Sequence, residues 1–152
     1  MKHPCGKCIF CPRISTSNSI TNEKKGICIR PKDGGNCQSK ELIYAARCKT
    51  HKTIYVGHTG ETLAKRFGKH KWDVHNRPEN SDLAQHFNKN HKDEDMEVMI
   101  LQAGLRKKEE REHHEDKWIC LLQTLQPDDI NRETHQYAKD MYKCFDRTMG
   151  SN

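Results

Sequence analysis

Two short apolar runs, Leu42-Ile43-Tyr44 and Ile54-Tyr55-Val56-Gly57, stand close together in a chain where apolar runs are scarce. Rich in β-branched and aromatic residues, they predict a β-hairpin over residues 41–48 and 52–58. With Tyr44 opposite Tyr55, Cys48 falls opposite His51 and Lys49-Thr50 becomes the loop. Lys-Thr is not a favoured two-residue turn sequence. A helix follows, opened by Thr59 or Thr62 with Glu61 in its first turn. Leu63 and Phe67, four apart, mark its buried face, and Arg66 and His70 share a neighbouring one. Tyr44, Tyr55, Arg66 and His70 therefore lie within 27 residues of one another.

The flanks are less regular. Residues 1–40 carry Pro4, Pro12, Pro31, Gly26, Gly34 and Gly35, and read as irregular. Beyond Pro78, a short helix is expected from Ser81 or Asp82 through His91, with Leu83 and Phe87 inward. Met96–Leu101 is a strand candidate, and a long charged helix spans about Arg106 to Thr124. Thr134 to Phe145 is a further helix candidate. No internal repeat is visible.

Composition narrows the function classes. Only 33% of the 152 residues are hydrophobic and 32% are charged, so the core is small for the length and extra staples are expected. Eight cysteines and ten histidines supply candidates. No charged leader followed by an apolar run opens the chain, which favours metal-bound or plain thiols over disulfides. Cys120 and Cys144, without close partners, read as apolar thiols. No stretch has the length and apolarity of a membrane span. Residues 1–77 hold 16 Lys+Arg against 5 Asp+Glu, and the remainder 11 against 16. A basic front half suits a polyanion, nucleic acid above all.

Several side chains fit phosphodiester chemistry. Arg66 offers a forked donor to phosphate oxygens, and His70 is a candidate general base. Glu115 precedes Trp118, Ile119 and Leu122 by three, four and seven residues, which puts a carboxylate on an apolar helix face. Such a group needs a compensating cation: either Mg²⁺ or a neighbouring basic side chain.

Taken together, Leu42-Ile43-Tyr44, Tyr55-Val56-Gly57, Arg66, His70, Glu115 and Asn131 resemble the GIY-YIG endonuclease superfamily. The chain is most similar to the endonuclease domain of Penelope-like retroelement reverse transcriptases. The CGKCIFCP opening, NCQSKELIYAARC, YVGHTGETLAKRFGKH, the Trp118-Ile119 helix and the Leu-Gln-Pro-Asp-Asp-Ile-Asn ending carry the likeness over roughly residues 4–133. Leu42 stands where the family label has Gly, and Val56 where it has Ile.

The resemblance implies a mixed α/β (α+β) domain: a small three-stranded antiparallel sheet flanked by helices, over residues 41–133. A zinc-binding arm (1–40) would precede it and a helical tail (134–152) follow. It further implies one-metal hydrolysis of DNA. Tyr55 or His70 would activate water, Arg66 would steady the phosphoryl charge and Glu115 would hold one Mg²⁺ or Mn²⁺. Tyr44 and Asn131 would orient water and backbone. The domain would be part of a larger reverse-transcriptase polypeptide in the nucleus, nicking target DNA to leave a 3′-hydroxyl primer.

Two zinc sites are expected besides. Cys48 and His51 form one close pair, and His86 and His91 another, the usual arrangement for tetrahedral zinc. Cys5, Cys8 and Cys11 are densely spaced and need one more thiolate. Cys37 is the choice, since the resembling domains carry a Cys just before the first strand, and Cys28 is the rival. The competing reading is a zinc-dependent nucleic-acid-binding module without catalysis. Glu115 separates the two, because a binder has little use for an acid beside a phosphate.

Overall fold

The computed structural model describes residues 11–15, 17–90, 96–125 and 129–131, without the side chains of Cys11, Lys89 and Asn90. Five strands and three α-helices occur among them: β1 (Ile20–Asn22), β2 (Ile27–Ile29), β3 (Leu42–Cys48), β4 (Ile54–Thr59), α1 (Leu63–Asn76), α2 (Asp82–Asn90), β5 (Met96–Gln102) and α3 (Lys108–Leu122). The main sheet has the order β4-β3-β5 and is antiparallel throughout. It is the three-stranded sheet that the resemblance implied.

β3 lies in the middle, and its alternation builds two cores. Leu42, Tyr44, Ala46 and Cys48 face one side, packing with Leu63, Phe67 and Val74 of α1 and Leu83 and Phe87 of α2. Ile43 and Ala45 face the other, packing with Trp118, Ile119 and Leu122 of α3. The sheet is thus sandwiched between α1–α2 and α3. Among the described residues, no helix is long and apolar enough to cross a membrane.

Several sequence expectations need correction. Tyr44 pairs with Gly57, and Tyr55 with Ala46, so the register is offset by two from a Tyr44–Tyr55 pairing. The connection is the five-residue stretch between Cys48 and Ile54, with Lys52 in the left-handed region at φ 63°. That conformation lets the Lys52 amide donate to the Cys48 carbonyl at 2.8 Å and close the turn. Thr62 is the N-cap of α1, its hydroxyl accepting from the Lys65 amide at 3.2 Å. Glu61 therefore precedes the helix rather than sitting in its first turn.

The segment expected to be irregular contains the β1–β2 hairpin. Ile20 enters the α3-side core, and Ile14 and Cys37 enter the other. Cys120 is disulfide-bonded rather than a plain thiol; spacing along a chain does not reveal which thiols a fold brings together. Cys5, Cys8, His91, Cys144 and the expected tail helix lie outside the described residues.

Candidate active site

β3, β4, α1 and α3 carry the residues of interest to one open cleft of about 470 Å³. Tyr55, His58, Thr59, Gly60, Glu61, Arg66, Lys69 and Glu115 line it. Tyr44 stands behind, fully buried. Because Tyr44 and Tyr55 project from the same face, a diagonal offset, their rings lie 6.3 Å apart between centroids.

Gly57 makes this possible. A Cβ there would lie 2.5 Å from the Tyr44 Oη and 2.8 Å from Cε2 of Tyr55. Only a bare Cα lets the Tyr44 ring pass across the neighbouring strand. Phe67 holds the ring from the helix side, edge-on, with centroids 5.0 Å apart.

Behind the cleft runs a buried chain of polar contacts. The Arg66 Nε donates to the Tyr44 Oη at 3.4 Å. The same oxygen lies 3.0 Å from Nε2 of His70. Burial, with Arg66 and Lys69 nearby, lowers the His70 pKa to about 3. The imidazole is therefore neutral, and either the phenol donates to Nε2 or the Nε2 proton is given to the phenol oxygen. His70 is fully buried and does not line the cleft, so it reaches the site through Tyr44. Burial also raises the Tyr44 pKa, against the opposing charge of Arg66. Tyr55 is raised well above its ordinary value by burial, with Tyr44 and Glu115 adding to the shift and Arg66 opposing it.

Glu115 is only 8% exposed yet lines the same cleft. Its Oε2 lies 3.8 Å from Nε2 of His58. The Arg111 Nε donates to Nδ1 of His58 at 3.4 Å, which leaves the Nε2 side turned toward the carboxylate. His58, Lys69 and Arg111 were not singled out in the sequence. The alternation of β4 was the available signal for His58, since residues 55 and 58 fall on opposite faces of a regular strand. That signal points away from the cleft, which His58 reaches at the end of β4.

Asn131 does not line the cleft. Its Oδ1 accepts from the Val56 amide at 2.8 Å and its Nδ2 donates to the Val56 carbonyl at 2.9 Å, which ties it to the backbone of β4. Asp129, two residues earlier, does likewise for β4, its Oδ1 accepting from the Ile54 amide at 2.8 Å. Asp129 also accepts from Asn22 at 3.0 Å and Lys24 at 2.9 Å. This tie between β1 and β4 was not read from the sequence.

A second cluster lies at the far end of β3. The Cys48 thiol and ring nitrogens of His51 and His86 all fall within 4.8 Å of one another. The loop helps to shape it, with the His51 amide donating to the Cys48 sulfur at 3.4 Å. Cys37 is buried and Cys28 exposed, at separate places in the fold.

Residues 40–127 match the family model of the GIY-YIG catalytic domain. The chain belongs to this family of metal-dependent DNA endonucleases. Its fold is also similar to that of a mutant of the catalytic domain of the intron endonuclease I-TevI. The TM-score is 0.53 at 23% identity, over 62% of this chain and 95% of the other. No curated protein sequence matches.

The cleft residues suit a hard divalent cation. Mg²⁺ is commonly held by one or two carboxylates, with water and substrate phosphate completing its shell. Glu115 offers one carboxylate in the same cleft as the Arg66 guanidinium.

Proposed function

We propose that this chain hydrolyses one DNA strand in the cleft between Tyr55, Arg66 and Glu115, and that Glu115 holds Mg²⁺ or Mn²⁺. The single observation behind this reading is that those three side chains, from β4, α1 and α3, line one cleft. Arg66 binds a non-bridging oxygen of the scissile phosphate and steadies its growing charge. The Tyr55 hydroxyl holds the attacking water. A phenol takes up the water's proton only as phenolate, and burial holds Tyr55 protonated in the free protein, so it must first lose its own proton to solvent, a loss that the positive charge of Arg66 favours. Tyr44 and His70 position Arg66 from behind. The bound cation, when present, polarises the phosphate and stabilises the leaving oxygen. Water oxygen bonds to phosphorus and the P–O3′ bond breaks; the water's proton passes to the Tyr55 phenolate and a solvent water protonates the leaving oxygen, which leaves a 5′-phosphate and a 3′-hydroxyl.

The further reading follows from the retroelement resemblance. The 3′-hydroxyl primes reverse transcription at a target site in the nucleus, and the domain works as part of a reverse-transcriptase polypeptide. Zinc is the ion for Cys48, His51 and His86, with His91 as fourth ligand. Cys5, Cys8 and Cys11 with Cys37, or Cys28, hold a second zinc in the arm.

A plasmid-nicking assay with Mg²⁺ or Mn²⁺ tests the cleavage reading. Wild type converts supercoiled to open-circular DNA, while Arg66→Ala and Glu115→Ala do so more slowly by about 10³ or more. DNA binding survives Glu115→Ala, since the change removes negative charge near phosphate. Equal nicking by all three proteins sinks the assignment.

A further inference from the structure

The outer face of α1 has a feature that the cleavage reading leaves unused. Trp72 is 54% exposed, the most exposed large hydrophobic side chain among the described residues. The other tryptophan, Trp118, is buried and donates from Nε1 to Gln102 at 3.0 Å. More than half of Trp72 is therefore open to water, and it is not among the residues of either core. Around it, Lys65, Lys69, Trp72 and Asn76 recur at helical spacings of four, three and four, forming one stripe.

The stripe is continuous with the cleft, because Lys69 also lines it beside Arg66. It is cationic as well. Lys65, Lys69 and Lys71 are exposed, whereas the one acid of α1, Asp73, is buried and accepts from Asn80 at 2.9 Å. One turn before Trp72 stands Gly68. A Cβ there would meet nothing within 4 Å, so packing does not require glycine. Glycine inside an exposed helix costs roughly 1 kcal/mol relative to alanine. It leaves bare the turn toward which a helical side chain at 72 leans.

Lysines tracking a phosphate backbone, with an aromatic ring open to stacking, are the physical parts of a single-strand binding platform. We propose that α1 docks DNA alongside the cleft, with Trp72 stacking on an unpaired base, Lys69 contacting the backbone between it and Arg66, and Lys65 contacting the backbone at the far end of the stripe. The substrate class is DNA with unpaired nucleotides next to the scissile phosphate. Six residues of helix carry Trp72 about 9 Å along the axis from Arg66 and roughly 120° around it, so the stacked base lies a few nucleotides from the scissile phosphate. This inference deepens the cleavage reading and rests on it for the position of the scissile phosphate.

Binding measured without cleavage tests it, using the full chain with Ca²⁺ in place of Mg²⁺ and fluorescently labelled DNA of one sequence. A fully paired duplex is compared with the same duplex carrying a few unpaired nucleotides and with the single strand. Trp72→Ala weakens binding to the two DNAs with unpaired bases by about tenfold to a hundredfold, and to the paired duplex by less than about threefold. Trp72→Phe stays close to wild type. Lys65→Ala and Lys69→Ala weaken all three, each lowering the salt slope by about 1. Tryptophan emission is quenched when the DNA with unpaired bases is added to wild type and not when it is added to Trp72→Ala.

Equal losses on paired and unpaired DNA, no loss on either, or unaltered salt slopes would overturn the inference while leaving cleavage intact. Wild type that binds as proposed yet never nicks sinks the cleavage reading alone. Wild type that binds no DNA sinks both.

Discussion

Asn131 grips Val56 from both sides of its backbone, accepting from the amide at 2.8 Å and donating to the carbonyl at 2.9 Å. It thereby acts as a one-residue strand on the open edge of β4, next to Tyr55 and Gly57. The Thr124 hydroxyl donates to the same Oδ1 at 2.8 Å and fixes the amide's orientation. Asn131→Ala leaves both Val56 groups buried without those partners. A cost of about 3 kcal/mol is expected, roughly 10 °C in Tm. Nicking falls with it well below the melting temperature, because the strand bearing Tyr55 loses its outer support. Thermal melts and nicking rates check this, and an unchanged Tm would refute the clamp.

Gly57→Ala strikes the site more directly. The new methyl would sit 2.5 Å from the Tyr44 Oη, so the ring must shift and its contacts with Arg66 and His70 must lengthen. We expect about 1–3 kcal/mol of destabilisation from overpacking. Nicking drops more than tenfold at about the same DNA affinity. A variant with wild-type rates would show that Tyr44 has no part in positioning Arg66.

The buried His70 makes stability depend on acid. Folded, it stays neutral down to about pH 3. Unfolded, histidine takes up a proton near ~6.5. Between those values the unfolded chain binds more protons. This contribution is therefore complete above about pH 6.5 and is lost as pH falls, at about 1.4 kcal/mol per unit. From pH 7 to pH 5 the wild type loses about 2 kcal/mol through this group, and His70→Gln does not. Urea titrations of both proteins at the two pH values give the difference. Parallel losses would mean that His70 is not held neutral by the fold.

The Cys48–His51–His86 cluster predicts a structural metal. The purified 152-residue chain should contain zinc, and His86→Ala should hold one ion fewer. Its hairpin should melt earlier, since binding energy at such a site is folding energy. Elemental analysis of the two proteins decides the matter. Identical zinc content, or none in wild type, would remove the ion from this place.

Much of this architecture was legible in the sequence. β3, β4, α1, α2, β5 and α3 announce themselves by alternation or helical spacing, and the grouping of Cys48 and His51 with His86 by their residue types. The hairpin register was not, because a two-residue slip keeps every side chain on its own face, so the pattern cannot choose. The β1–β2 hairpin was missed because three-residue strands between glycines and prolines carry almost no periodic signal. Its anchors are distant as well: Asn22 donates to the Leu122 carbonyl at 2.7 Å and to Asp129 at 3.0 Å. Asp129 and His58 escaped notice for the same reason, since their partners are fixed by tertiary geometry alone.

The two clamps set a limit on how far the protein can be trimmed. The family pattern stops at residue 127, but Ile54 and Val56 are fastened by Asp129 and Asn131. A fragment cut at the end of that pattern would keep every cleft-lining side chain and lose the latch on the strand that carries Tyr55. The smallest piece able to hold its shape must therefore reach Asn131.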